Sequence, residues 1–534
     1  MTEATKTRSQ QVATDIVAHL RSRAPLLWII TREEVRVEGY LFEAAAAAGY
    51  TTVTWDSAQG VRNVDGSEAD VGDQDIGATL NAIRTQAESA AKAPRLWILR
   101  DLHAWLAPGL GIQTIRQIRN LCRALPGTPL SSAQAMIVLT PSTQVPEELA
   151  GHAVVIDWPM PDRTEIASIL DTALDALPEE QAARVRAKLV NGTREAAIDA
   201  AVGLSGEEVD SCYARSLVTK KTIDAATISK DKKKVIARER VLEWIDPIPG
   251  GLDAVGGLEP LKAWLKQRQG AYSPKARAYG LPTPKGILAV GYPGCGKSLF
   301  AKATASGWGV PLLKMDLGVI KSKFVGESEA NLRRAFRTVD AIGRCVLWFD
   351  EVEKQLGGAT QGAADGGVSA DALGALLGWM QDRTNQAFII ATANSVDGLP
   401  PELLRKGRWD EQFFVDLPTL AERAAVLRAA LAAHGRGGLK IDVDAIARET
   451  PDFTGAELAS LVPDALYVGF AEGEREITGD DLMSAARTIR DSIMVKTQPE
   501  KVAKLRESAK SGWRRANAVE DLQVLAKGGR RIAM

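Results

Sequence analysis

Residues 291–298 read G-Y-P-G-C-G-K-S, and this octet restricts the fold more than any other stretch of the chain. Glycines at 291, 294 and 296 let the backbone curl so that successive N–H groups converge on an anion, and a following helix adds its positive end. Such a loop is credible only between a strand and a helix. Both are legible here. Gly286-Ile287-Leu288-Ala289-Val290 is short and apolar, as a parallel strand buried on both faces should be. Residues 299–308 have helical composition. The octet therefore predicts a parallel α/β sheet with a nucleoside triphosphate as its ligand. The expected cradle is Gly291, Tyr292, Pro293, Gly294, Cys295, Gly296, Lys297, Ser298 and Leu299. Lys297 would neutralise the β- and γ-phosphates, and the Ser298 hydroxyl would ligate Mg²⁺.

A chain of 534 residues is long enough for two to four domains. Its formal net charge of -1 provides no global field for nucleic acid or an anionic membrane. The four cysteines, Cys122, Cys212, Cys295 and Cys345, are far apart and form no C-x-x-C pair, which argues against metal and disulfide frameworks and suits a reducing compartment. Residues 1–11 are polar, without an apolar signal core. No run reaches the roughly 18 apolar residues of a membrane span. These features together predict a cytoplasmic protein.

Two further strands end in groups suited to the same ligand. Cys345-Val346-Leu347-Trp348-Phe349 runs into Asp350 and Glu351. Asp350 would hold Mg²⁺, mostly through water, and Glu351 would orient or deprotonate the attacking water. Phe388-Ile389-Ile390-Ala391-Thr392-Ala393 ends at Asn394, whose amide both donates and accepts, so it can touch the γ-phosphate and the water together. Arg405 and Arg408 follow, three residues apart. Alone, such a pair also fits a solvated surface or a salt bridge.

In this order the motifs resemble the AAA ATPase family, over roughly residues 250–493. The resemblance implies that Arg405 and Arg408, in L-R-K-G-R-W-D, are arginine fingers reaching a neighbouring subunit's ATP, so that the chain works as a homo-oligomer, usually a hexameric ring. It places Val255 and Gly256 on the adenine side and Gly455 and Ala456 at the opening of a lid helix near the nucleotide. Phe324, Val325 and Gly326 resemble the pore loop with which family members grip a threaded polypeptide, and the Gly-rich run 357–367 falls at a second pore loop. Cys295 departs from the threonine usual in the family and reads best as a small residue that fits.

The first half repeats this plan without its chemistry. Apolar runs at 25–30, 51–55, 95–100 and 135–140 follow the same sequence of strands, but Thr31 stands where a phosphate loop should begin. Asp101 and Leu102 are expected opposite Asp350 and Glu351, with Ser142 opposite Asn394. Val155-Ile156-Asp157-Trp158-Pro159 parallels Val415-Asp416-Leu417-Pro418, and Leu204-Ser205-Gly206 parallels the segment at Phe453. Five parallels in one order point to an internal duplication. Asp101 and His103 read as a surface cap at the following helix. The expected layout is an N-terminal extension (1–20), a degenerate AAA-like module (21–218), a charged linker (219–248), an active AAA module (249–495) and a basic C-terminal tail (496–534). Each module is a parallel P-loop NTPase-type α/β sheet with a small helical lid. The whole is similar to AAA proteins encoded by cyanobacteria and chloroplasts.

The reading that follows is an ATP-hydrolysing ring that remodels or threads protein substrates. A nucleotide-gated scaffold and a nucleic-acid translocase are the alternatives. The second has little basic support beyond Lys321 and Lys323, and the run Lys230-Asp231-Lys232-Lys233-Lys234 lacks interleaved aromatics.

Overall fold

Among the described residues, thirteen strands and the helices between them form two compact units, residues 1–232 and 233–534. The computed structural model describes residues 6–89, 93–106, 111–142, 144–190, 192–237, 241–318, 325–356, 368–383, 385–509 and 512–519. The first unit carries β1 (Leu26–Ile30), β2 (Thr51–Asp56), β3 (Gly60–Asn63), β4 (Arg95–Arg100), β5 (Gln134–Thr140) and β6 (Ala153–Asp157), in the order β3-β2-β4-β5-β1-β6. The second carries β7 (Leu242–Ile245), β8 (Gly286–Gly291), β9 (Leu312–Met315), β10 (Val346–Phe349), β11 (Phe388–Ala393), β12 (Glu411–Val415) and β13 (Arg514–Arg515), in the order β13-β12-β8-β11-β10-β9-β7. All pairings are parallel except β2 with β3 and β7 with β9 at the edges. The central strands are buried along their whole length, which explains their unbroken apolar runs.

Five strands of each sheet correspond one to one: β2-β4-β5-β1-β6 answers β9-β10-β11-β8-β12. A helical lid follows each sheet, and its helices start alike. Helices Arg163–Asp175 and Leu420–Ala433 open on capping boxes at Asp162 and Thr419, and helices Gly206–Lys220 and Gly455–Ala471 on boxes at Ser205 and Thr454.

The register corrects the residue-level pairing between the halves by one position at β4 and β5, and at β6 it puts Asp157 at the place of Phe414, not of Asp416. Ile30 lies opposite Thr140 and Asp157, as Val290 lies opposite Ala393 and Phe414. Leu99 opposite Val138 answers Phe349 opposite Ala391. Arg100, not Asp101, therefore stands at the place of Asp350. Asp101, not Leu102, stands at that of Glu351, and the two share a left-handed backbone, φ 50° and 48°. Pro141, not Ser142, answers Asn394. His103 is not a plain surface cap either: its Nδ1 lies 2.7 Å from Thr140 Oγ1.

The charge at the metal-side strand end of the first unit is thus reversed, from Asp350 to Arg100, while the place of Glu351 stays acidic at Asp101. Arg100 pairs with Glu38 at 2.6 Å and Asp56 at 3.3 Å. After β1 the chain enters helix Glu34–Ala48 with no wide loop, and Glu33, just before the helix, is buried. Glu33 accepts from Gly206 N at the lid and pairs with Arg36 at 2.6 Å, while Arg36 reaches Glu165 of the lid at 3.1 Å.

Three expected boundaries move. Helix Arg8–Arg21 is no extension, since Ile16 and Leu20 lie in one core cluster with Leu27, Val37 and Leu41. The linker region contains β7, paired antiparallel to β9, and Lys232 is buried with its ammonium 2.5 Å from Val202 O. The tail region contains helix Pro499–Ser508 and β13, which place Val502, Leu505 and Ala516 in the second unit's core.

Candidate functional site: a phosphate loop closed by a lid

Gly294 and Gly296 have φ of +75° and +88°, so the turn that leads from β8 into helix Lys297–Trp308 requires glycine. A Cβ on Gly294 would lie 3.0 Å from Ala456 Cβ, because the loop packs directly on the lid. Ala456 N donates to Gly294 O at 2.8 Å. Gly256 is still more confined, since a Cβ there would come within 2.4 Å of the Val426 backbone.

Lys297 is 7 % exposed. Its ammonium donates to Gly291 O at 2.8 Å and Tyr292 O at 2.7 Å. Burial pushes it down to about 8. The cation is thus held inside the loop by two carbonyls, a setting that an anion would relieve. Asp350 Oδ1 accepts from Thr392 Oγ1 at 2.8 Å and lies 3.3 Å from Ser298 Oγ. Lys314 stands 3.5 Å from its other oxygen. Glu351 Oε1 accepts from Asn394 Nδ2 at 2.8 Å, and Lys354 lies 2.8 Å from Oε2. The hydrogen bond from Lys354 holds the Glu351 carboxyl below its usual range. Cys295 is buried, and burial pushes its thiol up to about 12.

A cavity of about 1090 Å³ joins these groups. Val255, Gly256, Pro293, Gly294, Cys295, Gly296, Lys297, Ser298, Leu299, Asp350, Glu351, Asn394, Gly455 and Ala456 all line it. Gly291 and Tyr292 are not among the lining residues. The Tyr292 hydroxyl instead donates to Val502 O at 2.9 Å, and its ring packs edge-on against Phe414. Arg405 and Arg408 do not line the cavity either: Arg405 is exposed, and Arg408 donates to Leu377 O at 3.1 Å. Phe324 and the run 357–367 lie outside the described residues, while Val325 and Gly326 begin helix Val325–Ile342. The cavity also gathers Thr392, Asp416, Glu422 and Asn517, none of which was given a role at the site from the sequence.

The donors present fit a magnesium-bound triphosphate. A flexible glycine loop, one buried ammonium, a serine hydroxyl and an aspartate share one wall. Among the described residues no three His, Cys, Asp or Glu side chains converge to hold a metal ion. Magnesium suits such a site because it takes few protein ligands and completes its shell with phosphate and water. Among the described residues no helix is long and apolar enough to cross a membrane.

Comparison with known proteins agrees with this arrangement. The profile of the ATPase family associated with various cellular activities (AAA) matches residues 287–417. The SpoVK-like AAA ATPase N-terminal domain matches residues 12–158, and the second domain of that type matches 164–239. "Uncharacterized AAA domain-containing protein ycf46" of Guillardia theta is 31% identical over 92% of this chain and 94% of its own length. Its namesake in Gracilaria tenuistipitata var. liui is 34% identical over 73% and 77%. "ATP-dependent zinc metalloprotease FtsH" of Acidothermus cellulolyticus is 36% identical over 41% of this chain and 33% of its own length. With a phosphate-loop sheet at its centre and relatives matching almost end to end, the protein belongs to the AAA ATPase family.

Proposed function

We propose that the second unit binds ATP with Mg²⁺ and hydrolyses it to ADP and phosphate. One observation carries this reading: Lys297, Ser298, Asp350, Glu351 and Asn394, from three separate strand ends, line the same cavity. When bound, magnesium would supply neutralisation of the phosphate charge at this wall of the cavity. Ser298 and Asp350 would hold it. Lys297 would leave its loop carbonyls for the phosphates. Glu351, kept ionised by Lys354 and oriented by Asn394, is the base for water. Val255 and Gly256 would face the base of the nucleotide, and Gly455 and Ala456 would bring the lid to its phosphates.

The same reading makes Arg405 and Arg408 fingers for a neighbouring copy in a ring, and Phe324, Val325 and Gly326 a loop that drags a polypeptide. The first unit, with Glu33 and Arg100 at the phosphate and metal positions, would bind no nucleotide and would act as scaffold or recruiter. Four buried free thiols favour a reducing compartment such as the cytoplasm. Titration with a fluorescent ADP tests the core of this. Lys297→Ala should bind it at least about 100-fold more weakly than wild type, since one buried charged contact to phosphate is worth several kcal/mol. Undiminished affinity in that variant would refute the site.

A further inference from the structure

Glu422 is a junction of three distant segments. It is buried in the first turn of lid helix Leu420–Ala433, where it accepts from Thr419 N at 3.0 Å. It also accepts from Leu258 N at 3.0 Å, and so anchors the segment that brings Val255 and Gly256 to the cavity wall. Its other donors come from near the C-terminus: Asn517 Nδ2 at 2.9 Å and Ala518 N at 3.2 Å. Asn517 is 6 % exposed and itself lines the cavity. Its Oδ1 accepts from Asp416 N at 2.8 Å, just past the end of β12. The segment around it is seated by β13, in register with β12, and by Ala516 N donating to Phe414 O at 2.9 Å.

A buried carboxylate needs its donors, because an unpaired lone pair there costs the full desolvation of the group. Removing Asn517 would leave one Glu422 oxygen short of a donor. Glu422 would then relax, and Leu258 with it. From this geometry we propose that Asn517 is a positioning residue of the nucleotide pocket, and that nucleotide affinity is coupled to the seating of residues 512–518. The inference rests on the nucleotide reading above. It gives a function to a stretch that composition alone marks only as a basic tail. Coupling of this kind is reciprocal: whatever factor the seated segment contributes to nucleotide affinity, bound nucleotide must return to the seating of the segment.

The test uses full-length protein and ADP as probe. Fluorescent ADP should bind Asn517→Ala about tenfold more weakly than wild type, within the usual range of such couplings. Asn517→Asp should be weaker still, because it keeps the acceptor for Asp416 N, loses the donor and sets a second carboxylate against Glu422. In wild type, ADP should slow tryptic cleavage at exposed Arg514 and Arg515 by a similar factor, read by mass spectrometry, and Lys297→Ala should show no such protection. If Asn517→Ala does not fold, the wild-type cleavage rates decide alone. Equal ADP affinity in Asn517→Ala and wild type, with cleavage indifferent to ADP, overturns this inference and leaves the pocket standing. Failure of wild type to bind ADP overturns both.

Discussion

Thr392 shows how a residue with no motif of its own can govern a site. Its hydroxyl lies 2.8 Å from Asp350 Oδ1 and accepts from Glu351 N at 3.3 Å, so one side chain orients both acids. Thr392→Val keeps the shape and removes the hydroxyl. Turnover should fall about 10–100-fold, the usual effect of removing a partner that orients a metal ligand. ADP affinity should change little, because Lys297 and the glycine loop are untouched. Phosphate release measured beside an ADP titration checks this, and wild-type turnover in the variant would remove Thr392 from the mechanism. Cys295 gives the opposite lesson. Its place in the loop suggests redox sensitivity, but it is buried with a thiol pushed up to about 12. Iodoacetamide at neutral pH should leave it unlabelled in native protein and label it after denaturation, as peptide mass spectrometry would show. Rapid native labelling would mean the loop opens far more than its packing against Ala456 implies. Lys297, Ser298, Asp350, Glu351 and Asn394 could be picked out as one candidate site because phosphate and metal chemistry calls for those residue types at strand ends, and all five line one cavity. Thr392, Glu422 and Asn517 were not, because they act on partners up to 164 residues away in the chain.

At the level of elements, what matters most is how the first unit ties the turn after β1 to its lid. Arg36 joins Glu33, at the start of helix Glu34–Ala48, to Glu165, in the first turn of the lid. All three are largely buried, so Arg36 compensates two carboxylates at once. Arg36→Met should destabilise the first unit by about 3–5 kcal/mol, the cost of leaving a buried charge unpaired. Hydrogen exchange in β1 and β5 is the suitable measurement, because it reads this unit separately from the other. Adding Glu33→Gln and Glu165→Gln should recover much of the loss. Unchanged protection in Arg36→Met would show that the lid is held by apolar packing alone. The apolar central strands were plain in the sequence, since burial on both faces leaves an unbroken signal. The elements that escaped were those with thin signals. Helix Arg8–Arg21 buries only Ser9, Ile16 and Leu20, and β13 has two residues, both exposed, whose strand character comes wholly from β12. The shift in pairing between the halves was likewise invisible. Matching acid to acid looked natural in the sequence, whereas the sheet register matches Asp350 to Arg100.

At the scale of the whole molecule, the two candidate finger arginines stand away from the site of their own chain. Arg405 is exposed and Arg408 is bonded to Leu377 O, and neither lines the cavity of its own chain. If they stabilise the transferred phosphoryl group, they must do so in another copy. Head-to-tail contacts between identical chains close into rings when the rotation permits. Mixing separates action in trans from action in cis. Arg405→Ala keeps an intact pocket and lacks a finger, and Lys297→Ala keeps the finger and lacks the pocket. Each alone should turn over ATP at least about 10³-fold more slowly, the range for loss of a finger or of the phosphate cradle. In a random equal mixture, one interface in about four joins a sound pocket to a sound finger, so turnover per chain should recover to about a quarter of wild type. Recovery should depend on total concentration, since dilution dissolves the interface that makes the site. A mixture that never exceeds the average of its two parents, at any ratio or concentration, would place the whole reaction within one chain and leave the two arginines a structural role.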